Sequence, residues 1–323
     1  MKIAIINSSY PTYNLCTDKM LYHFKQGKNE VFFSPRADMW SQQCQQAYLS
    51  AIFTWNLPKL VHDVNLLKSN GVEVEIGGPA ATAMPEYILA MTDIQPHVGL
   101  DERFEHINGG KFLATFTSRG CPRACEFCIV SKLEGRHIIE YSQFPIPTGK
   151  NPYVCDNNIL ATSWGHQQLV VEKLKHVKNL DINSGFDDRI FIKNQEKYWR
   201  LYNELNLECW RFAYDTPEQE EPVTACTEFL HDKGVGYRYI SVFCLVGFPG
   251  QTFEQSRAKL QYLIDIGTSP YPMRFRPLDC LDRNYVPPGW NAKQLDLLFG
   301  YFGVPFVWRS CKWNEFLERS RKI

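Results

Sequence analysis

The sequence carries no net charge and contains no long hydrophobic run. Its 35 lysines and arginines balance 35 aspartates and glutamates, so net charge does not indicate a strongly anionic partner, although a local basic patch is compatible with a neutral total. No stretch of about 18 apolar residues occurs, which argues against a membrane span. The opening residues form too short an apolar run for a signal peptide. We therefore expect a cytoplasmic protein with no membrane partner.

The sequence also lacks internal repeats and low-complexity segments, and its 11 cysteines form only one close group. Scattered cysteines in a cytosolic chain are usually buried small hydrophobic residues, whereas a close group usually binds metal. The close group is Cys121, Cys125 and Cys128. The scattered cysteines are Cys16, Cys44, Cys155, Cys209, Cys226, Cys244, Cys280 and Cys311.

Short apolar runs alternate with helical periodicity in the first third of the chain. Strands are predicted at 2–7, 30–33, 47–54 and 72–76, and helices at 14–25 and 57–68. This alternation predicts a small parallel sheet of Rossmann-like type. The proline-containing segment 79–101 is predicted to be an irregular loop.

A second alternation begins at residue 111 and predicts six strands with helices between the later ones. The strands are predicted at 112–116, 153–156, 180–183, 209–214, 237–246 and 272–276, and the helices at 167–178, 195–205, 218–233 and 252–266. Such a pattern predicts an α/β fold in which a parallel sheet curls into a partial (β/α)6, TIM-like barrel, with ligands at the carboxyl ends of the strands. The predicted domains are 1–108, 109–281 and a C-terminal aromatic and basic extension at 282–323.

The close cysteines have the spacing Cys-x3-Cys-x2-Cys from Cys121 to Cys128. Thiolates are soft ligands that suit iron–sulfur clusters and zinc. Three thiolates leave one coordination position open, whereas a structural zinc site is closed by four ligands. No fourth cysteine follows at a typical distance, and the nearest histidine, His137, lies in a different segment. An iron–sulfur cluster is therefore favoured, with a zinc site as the alternative.

Phe127 directly precedes the third cysteine, and the motif thereby resembles the Cys-x3-Cys-x-aromatic-Cys signature of the radical S-adenosylmethionine (SAM) superfamily. Most of the chain also resembles an uncharacterised bacterial and phage family within it, which has a short cobalamin-binding-like N-terminal domain. The segments that carry this resemblance are Ser118-Arg119-Gly120-Cys121-Pro122, Phe127-Cys128-Ile129-Val130 with Glu134-Gly135, Asp156-Asn157-Asn158-Ile159-Leu160-Ala161, and Gly185-Phe186-Asp187-Asp188-Arg189.

The resemblance implies a [4Fe–4S] cluster with three irons bound by the three cysteines and the fourth chelated by SAM. A reducing electron donor such as flavodoxin or ferredoxin would drive cleavage of SAM to a 5′-deoxyadenosyl radical, which abstracts a hydrogen atom from the substrate. The resemblance also implies that Phe127 lies beside the adenine of SAM; packing in the protein core is the alternative for this side chain.

Other residues that the resemblance assigns to SAM follow the predicted strands. Asp156, Asn157 and Asn158 offer acceptors to the methionine amine, or else form a turn and helix cap. In the next segment, which includes Ser184, Arg189 would bind the methionine carboxylate, or else form an ion pair with a neighbouring aspartate.

Two further candidates follow the fourth and fifth strands of the second alternation. Asp215 would accept the ribose hydroxyls, or else cap the next helix. Gly247 would permit close approach of the backbone to the adenine.

The N-terminal sheet resembles a cobalamin-binding domain, with a groove expected near Ser50–Thr54 and Gly77-Gly78. Cobalamin is not favoured, because the Asp-x-His-x-x-Gly motif that supplies a cobalt ligand is absent. A structural or substrate-docking role for the domain is the alternative.

Three functions remain open. The first is modification of a nucleic-acid base or nucleotide, which the basic and aromatic tail favours; the alternative for the tail is a helix that closes the barrel. The second is radical methylation or rearrangement of a small metabolite or peptide, with or without cobalamin. The third is a non-catalytic iron–sulfur or zinc sensor. The tail residues concerned are Trp308, Arg309, Lys312, Trp313, Arg319, Arg321 and Lys322.

Overall fold

The computed structural model describes residues 1–320, which form a mixed α/β structure with parallel sheets. The chain divides into two compact units: the first comprises Met1–Asn157 and Pro277–Arg283, and the second comprises Asn158–Arg276 and the residues from Asn284 onward. The domain limits predicted at 108/109 and 281/282 differ from the limits of these units and stay predictions. Arg321 and Lys322 of the predicted basic tail lie outside the described residues. Within residues 1–320, no helix is both long and apolar enough to cross a membrane.

Four parallel strands form the main sheet of the first unit, in the order β2-β1-β3-β4. The strands are β1 (Lys2–Asn7), β2 (Glu30–Ser34), β3 (Gln46–Ser50) and β4 (Glu73–Gly77). The helices of this region are α1 (Leu15–Gln26), α2 (Leu57–Ser69), α3 (Pro79–Ala83), α4 (Pro85–Thr92) and α5 (Glu102–Glu105). The parallel sheet and the two helices predicted between its strands are confirmed.

Strand β1 is buried on both faces, because helices cover both sides of the sheet. Ala4 and Ile6 pack in one hydrophobic cluster with residues of α2. Ile3 and Ile5 pack in a second cluster with Met20 of α1. Strands with two buried faces read as continuous apolar runs, which explains why the sequence of β1 shows no alternation.

The prediction of an irregular loop at 79–101 was wrong for residues 79–92, which contain helices α3 and α4, and is confirmed for residues 93–101. Pro79 and Pro85 occupy the first turns of these helices. Proline fits there, since its missing N–H would have no partner in the first turn and its fixed φ suits a helix. The prolines therefore start helices in this segment.

The first unit continues with short strands and one short helix. They are β5 (Ala114–Thr115), β6 (Ser118–Arg119), α6 (Val130–Leu133), β7 (Ile139–Glu140) and β8 (Tyr153–Val154). Strand β5 pairs in parallel with β8, as the second predicted alternation requires. Strands β6 and β7 form an antiparallel ribbon that the sequence did not predict. This ribbon encloses the segment with the three close cysteines.

The second unit contains the later strand and helix alternation. Its strands are β9 (Asp181–Ile182), β10 (Trp210–Ala213), β11 (Ile240–Val246) and β12 (Ser269–Arg274). Its helices are α7 (Trp164–Leu174), α8 (Asp188–Phe191), α9 (Gln195–Tyr202), α10 (Glu220–Asp232), α11 (Phe253–Asp265), α12 (Ala292–Phe302), α13 (Pro305–Ser310) and α14 (Trp313–Ser320). Strands β10, β11 and β12 form a parallel sheet in chain order. No sheet in the described part of the chain closes into a barrel.

Replacement of Leu60 by alanine should lower the free energy of unfolding by about 2–5 kcal/mol, because Leu60 is fully buried on α2 and its loss leaves a cavity. Urea denaturation measures this change. Leu89→Ala is the matched control, since Leu89 on α4 is 42% exposed and should cost much less. Equal losses in the two variants would contradict the packing of α2 described above.

Candidate functional site

The three close cysteines lie in the segment between β6 and β7, which we call the cysteine loop (residues 120–138). Within it, the backbone N–H of Cys128 donates to the carbonyl of Cys125 at 3.0 Å. The N–H of Cys121 donates to the carbonyl of Gly135 at 3.3 Å. All three cysteines are of intermediate exposure, and none forms a disulfide. The thiols are therefore accessible to a ligand and are not held in disulfides.

The two ends of the cysteine loop approach each other closely at Gly120. This residue has φ of +84°, and a Cβ atom built on it would lie 2.0 Å from the carbonyl oxygen of His137. Its N–H donates to Glu134 Oε2 at 2.9 Å. Only glycine fits both the backbone conformation and the contact.

A buried network of ion pairs lies next to Gly120. The guanidinium of Arg119 donates to Glu105 through Nε at 2.7 Å and Nη2 at 2.8 Å, and to Glu134 through Nη1 at 2.8 Å. Arg119 also lies over the ring of Phe116, 3.3 Å from its centroid. Burial acts to raise the pKa of the Glu105 carboxyl, but the charge and hydrogen bonds of Arg119 outweigh it and hold that pKa below its usual value. Arg119 therefore keeps the Glu105 carboxylate charged, and it pairs with Glu134 through a separate nitrogen.

Glu134 links the cysteine loop to the end of β8. Besides Arg119 and Gly120, it accepts a hydrogen bond from Asn157 Nδ2 at 2.6 Å. In this structure Asn157 is therefore a donor within the protein, and its predicted role as an acceptor for the amine of SAM stays a prediction.

Asp156, which follows β8, is completely buried. Its carboxylate accepts hydrogen bonds from the N–H of Thr117 at 2.6 Å and from Ser118 Oγ at 2.7 Å. Burial raises the pKa of this carboxyl, and the hydrogen bonds from Thr117 and Ser118 oppose that rise. Asp156 thus holds the segment that leads into the cysteine loop. Its predicted contact with the methionine amine stays a prediction.

The three thiols influence one another electrostatically. Burial raises the pKa of the Cys128 thiol, and the nearby Cys125 and Cys121 raise it further. A positively charged metal centre would favour the thiolate forms, so the donor set fits a soft metal or iron–sulfur cluster chemically. Within residues 1–320, no group of three or more histidine, cysteine, aspartate or glutamate side chains is arranged to hold a metal ion. Phe127 is half-buried on the same loop.

The remaining predicted SAM residues belong to the second unit. Asn158 Nδ2 donates to Asp187 Oδ2 at 2.9 Å, and Arg189 Nε donates to Asp187 Oδ1 at 3.2 Å. The alternative predicted for Arg189, an ion pair with a neighbouring aspartate, is therefore present. The terminal nitrogens of Arg189, whose side chain is 37% exposed, make no hydrogen bond to the described residues. Ser184 is exposed in the preceding turn.

Asp215 and Gly247 follow β10 and β11. The Asp215 carboxylate accepts the N–H of Leu245 at 2.8 Å. Burial raises its pKa, while the Leu245 hydrogen bond, Lys259 and Arg189 oppose the rise. Thr216 caps the following helical turn, so the cap predicted at Asp215 was wrong. Gly247 has φ of +81° and donates to Gln251 Oε1 at 3.0 Å.

The predicted residues thus form two sets. The first unit holds the cysteines and Phe127 on one loop, with Asp156 and Asn157 tied to its base. In the second unit, Asn158 and Arg189 share Asp187, and Arg189 interacts electrostatically with Asp215. Ser184 and Gly247 have no direct bond to that group. Sequence reasoning gave no structural role to Glu105, Arg119 and Glu134, and it named Asp187 only as an alternative ion-pair partner of Arg189. The available signal for this ion-pair network was Arg119, a charged residue directly before Gly120, because buried charges are almost always paired.

At the edge expected to hold cobalamin, Ser50 and Gly78 are closely packed. Ser50 is 1% exposed, and its Oγ accepts a hydrogen bond from Asn14 Nδ2 at 3.0 Å. A Cβ atom at Gly78 would lie 2.7 Å from the same oxygen. These residues do not fit a corrinoid groove at this edge.

The scattered cysteines are partly as expected. Cys44, Cys209, Cys226, Cys244 and Cys311 are buried, whereas Cys16, Cys155 and Cys280 have intermediate exposure. The prediction of buried small hydrophobic residues is therefore confirmed for the first set and wrong for the second.

Gly120→Ala should destabilise the protein more than Gly135→Ala. Both positions have positive φ, so both variants carry backbone strain of about 1–3 kcal/mol. Only at Gly120 does the new methyl group meet another atom, since nothing lies within 4 Å of a Cβ at Gly135. Urea denaturation and limited proteolysis of the cysteine loop measure the difference. If both variants behave alike, the close approach of His137 to Gly120 is refuted.

Asp188 provides a pH-dependent prediction. It is buried at the start of α8, Oδ2 has no hydrogen-bond partner within the described residues, and burial raises its pKa to about 6. An unfolded aspartate titrates near about 3.9. The folded state therefore keeps a proton that the unfolded chain releases, so the stability due to Asp188 is complete below about pH 4 and is lost as the pH rises through about 6.

Relative to Asp188→Asn, the unaltered protein should lose about 2–3 kcal/mol of unfolding free energy between about pH 4 and pH 7. Urea denaturation across this range measures the loss. Asp93→Asn is the control, because that side chain is 95% exposed. A difference between the unaltered protein and Asp188→Asn that stays constant with pH would refute the raised pKa of this buried carboxyl, which Arg189 and Gln219 only partly offset.

No protein-family model matches this chain, and no curated protein matches it. Its function must therefore be inferred from its own residues. The most distinctive of these are the three thiols of the cysteine loop and the buried charges that close the loop.

Proposed function

We propose that this protein is a radical SAM enzyme that reductively cleaves SAM at a [4Fe–4S] cluster. The observation that carries the proposal is the cysteine loop, which presents three thiols of intermediate exposure, none of them in a disulfide, from a base closed by Gly120, Glu134 and Arg119. Three soft ligands on one short loop leave an open coordination position, which is typical of a reactive rather than a structural metal site.

Cys121, Cys125 and Cys128 would hold the cluster. When bound, the cluster would supply the electron that cleaves SAM to methionine and a 5′-deoxyadenosyl radical, with flavodoxin or ferredoxin as the type of donor. The protein's own contribution is to fix the loop. Arg119 is held by Glu105 and Glu134, and the loop ends can therefore separate only if buried charges lose their partners, which is strongly unfavourable.

In the second unit, the proposed SAM residues follow the carboxyl ends of strands. Asn158, Ser184, Arg189, Asp215 and Gly247 all lie in connections of this kind, and ligands of parallel α/β folds bind at such ends. Arg189 is suited to the methionine carboxylate, because its terminal nitrogens are free for a bidentate contact. Asp215 is suited to the ribose hydroxyls as a half-buried acceptor. Phe127 would contact the adenine.

We propose further that the four-stranded sheet is a Rossmann-like domain and that the later alternation is of the partial (β/α)6, TIM-like type. Parallel pairing of β5 with β8, and of β10 with β11 and β12, supports the second assignment. The close packing at Ser50 and Gly78 favours an enzyme without cobalamin.

The test is SAM cleavage by the full chain. The protein is purified without oxygen, loaded with iron and sulfide, reduced with dithionite and incubated with SAM, and 5′-deoxyadenosine is measured by mass spectrometry. We expect product from the unaltered protein and none from Cys125→Ala, which lacks one cluster ligand. Cys280→Ala is the matched control, because Cys280 is also of intermediate exposure and forms no disulfide but lies outside the cysteine loop.

The iron content of each sample shows whether a protein that forms no product lacks its cluster or holds the cluster without cleaving SAM. Product that disappears in Cys125→Ala and persists in Cys280→Ala supports the proposal. A sample with a full complement of iron and sulfide that forms no product would sink the catalytic assignment and leave a sensor cluster. Loss of product in both variants would contradict the assignment of the ligands to the loop.

A further inference from the structure

A cleft of about 680 Å³ lies in the second unit, between α11 and the C-terminal helices. We call it the C-terminal cleft. None of the residues that line it has a role in the proposed cleavage of SAM. The lining residues used below are Arg257, Trp308, Arg309, Lys312, Trp313 and Glu315.

The C-terminal cleft is rich in positive charge although the whole chain is neutral. Arg257, Arg309 and Lys312 line it together with the carboxylate of Glu315. Arg257 is paired with Glu254, its Nε lying 2.9 Å from Oε2, so among the described residues the unpaired cations of the cleft are Arg309 and Lys312. Arg309 and Lys312 are exposed, and neither forms an ion pair with a described residue. Glu315 accepts the backbone N–H of Lys312 at 3.3 Å at the start of α14. A local excess of unpaired cations in a cleft attracts an anionic ligand.

Two tryptophans lie among these cations. Trp313 is half-buried and stacks on Phe302, with ring centroids 5.6 Å apart and an interplanar angle of 23°. Trp308 is half-buried at the edge of Tyr237, and the guanidinium of Arg309 lies 5.4 Å from the centroid of the same tyrosine ring. Rings held in this way offer rigid stacking surfaces for planar groups.

The indole N–H of Trp308 is a second and independent indication of a ligand. The nitrogen is buried and has no hydrogen-bond partner within residues 1–320. Buried donors in folded proteins almost always have an acceptor, because an unsatisfied one costs about 1–3 kcal/mol. A ligand rich in acceptor oxygens would supply that partner.

We infer that the C-terminal cleft binds a single-stranded nucleic acid. The cations would contact phosphates, the Trp308 N–H would donate to a phosphate or base oxygen, and the tryptophan rings would stack on bases. Cations beside stacking rings are the combination by which proteins bind single strands, whereas an acidic peptide would use the cations alone. The inference names a substrate class for the proposed enzyme and rests on that proposed function only for its catalytic consequence.

Fluorescence anisotropy with the full chain tests the binding directly. The probes are labelled single strands of about 12 nucleotides, one RNA and one DNA, of mixed sequence, titrated over a range of salt concentrations. The double variant Arg309→Gln, Lys312→Gln should bind at least about tenfold more weakly and should lower the slope of log affinity against log salt by about 1.4, which corresponds to about 0.7 for each lost phosphate contact. Arg200→Gln is the control for loss of a positive charge elsewhere on the surface, because its side chain on α9 is 76% exposed.

Trp308→Phe tests the contribution of the indole N–H separately from that of the aromatic ring. It keeps an aromatic surface and removes the N–H, so it should weaken binding up to about tenfold and leave the salt slope unchanged. Failure of both the RNA and the DNA strand to bind at low salt would overturn the inference. Equal losses in Arg200→Gln and the double variant would do the same, as would complete displacement of the strand by a polyglutamate peptide.

The outcome is distinguishable from that of the SAM assay. Cys125→Ala should bind the strand as the unaltered protein does, because the cleft contains no cluster ligand. Strand binding without SAM cleavage would refute the proposed enzyme and leave the cleft assignment standing. SAM cleavage without strand binding would refute the cleft assignment alone.

Discussion

The buried guanidinium of Arg119, held between Glu105 and Glu134, is the interaction on which the cysteine loop depends. It joins three parts of the first unit: helix α5, the strand before the loop and the end of the loop itself. A buried arginine is costly unless its donors are matched, and here the carboxylates supply that match. Loss of either carboxylate would leave charge uncompensated inside the protein, so the network fixes where the loop begins and ends.

The polar residues after β8 are also matched to hydrogen-bond partners within the protein. Asp156 is buried because Thr117 and Ser118 satisfy its oxygens, and Asn157 is fixed because Glu134 accepts its amide. With these hydrogen bonds, Asp156 holds the segment before the cysteine loop and Asn157 holds the base of that loop. The three thiols remain as the candidate metal ligands of this part of the molecule, on a loop whose base is fixed by these contacts.

The sequence predicted the elements with a clear period. The four-stranded parallel sheet and helices α1 and α2 follow from runs long enough to show burial on one or both faces. Strands β6 and β7 have only two residues each, so periodicity gives no warning of them, and the ribbon that they form was not predicted. Prolines favour both loops and the first turns of helices, so the sequence alone does not distinguish the two. Pro79 and Pro85 begin helices α3 and α4, which is why the loop prediction failed there. For the candidate site, the sequence predicted the cysteine group and its neighbours but not the charges that hold them.

The sequence by itself determined the spacing of Cys121, Cys125 and Cys128 and the helical and strand periods, because these depend on residues close together in the chain. Only the tertiary structure decided the partners of Asp156, Arg119 and Arg189. Asp156 and Thr117, for example, are separated by 39 positions in the chain. A carboxylate suited to a ligand amine is equally suited to a hydroxyl or a backbone N–H, so its residue type leaves its partner open. The folded chain makes that choice by bringing one donor within hydrogen-bonding distance and burying the pair.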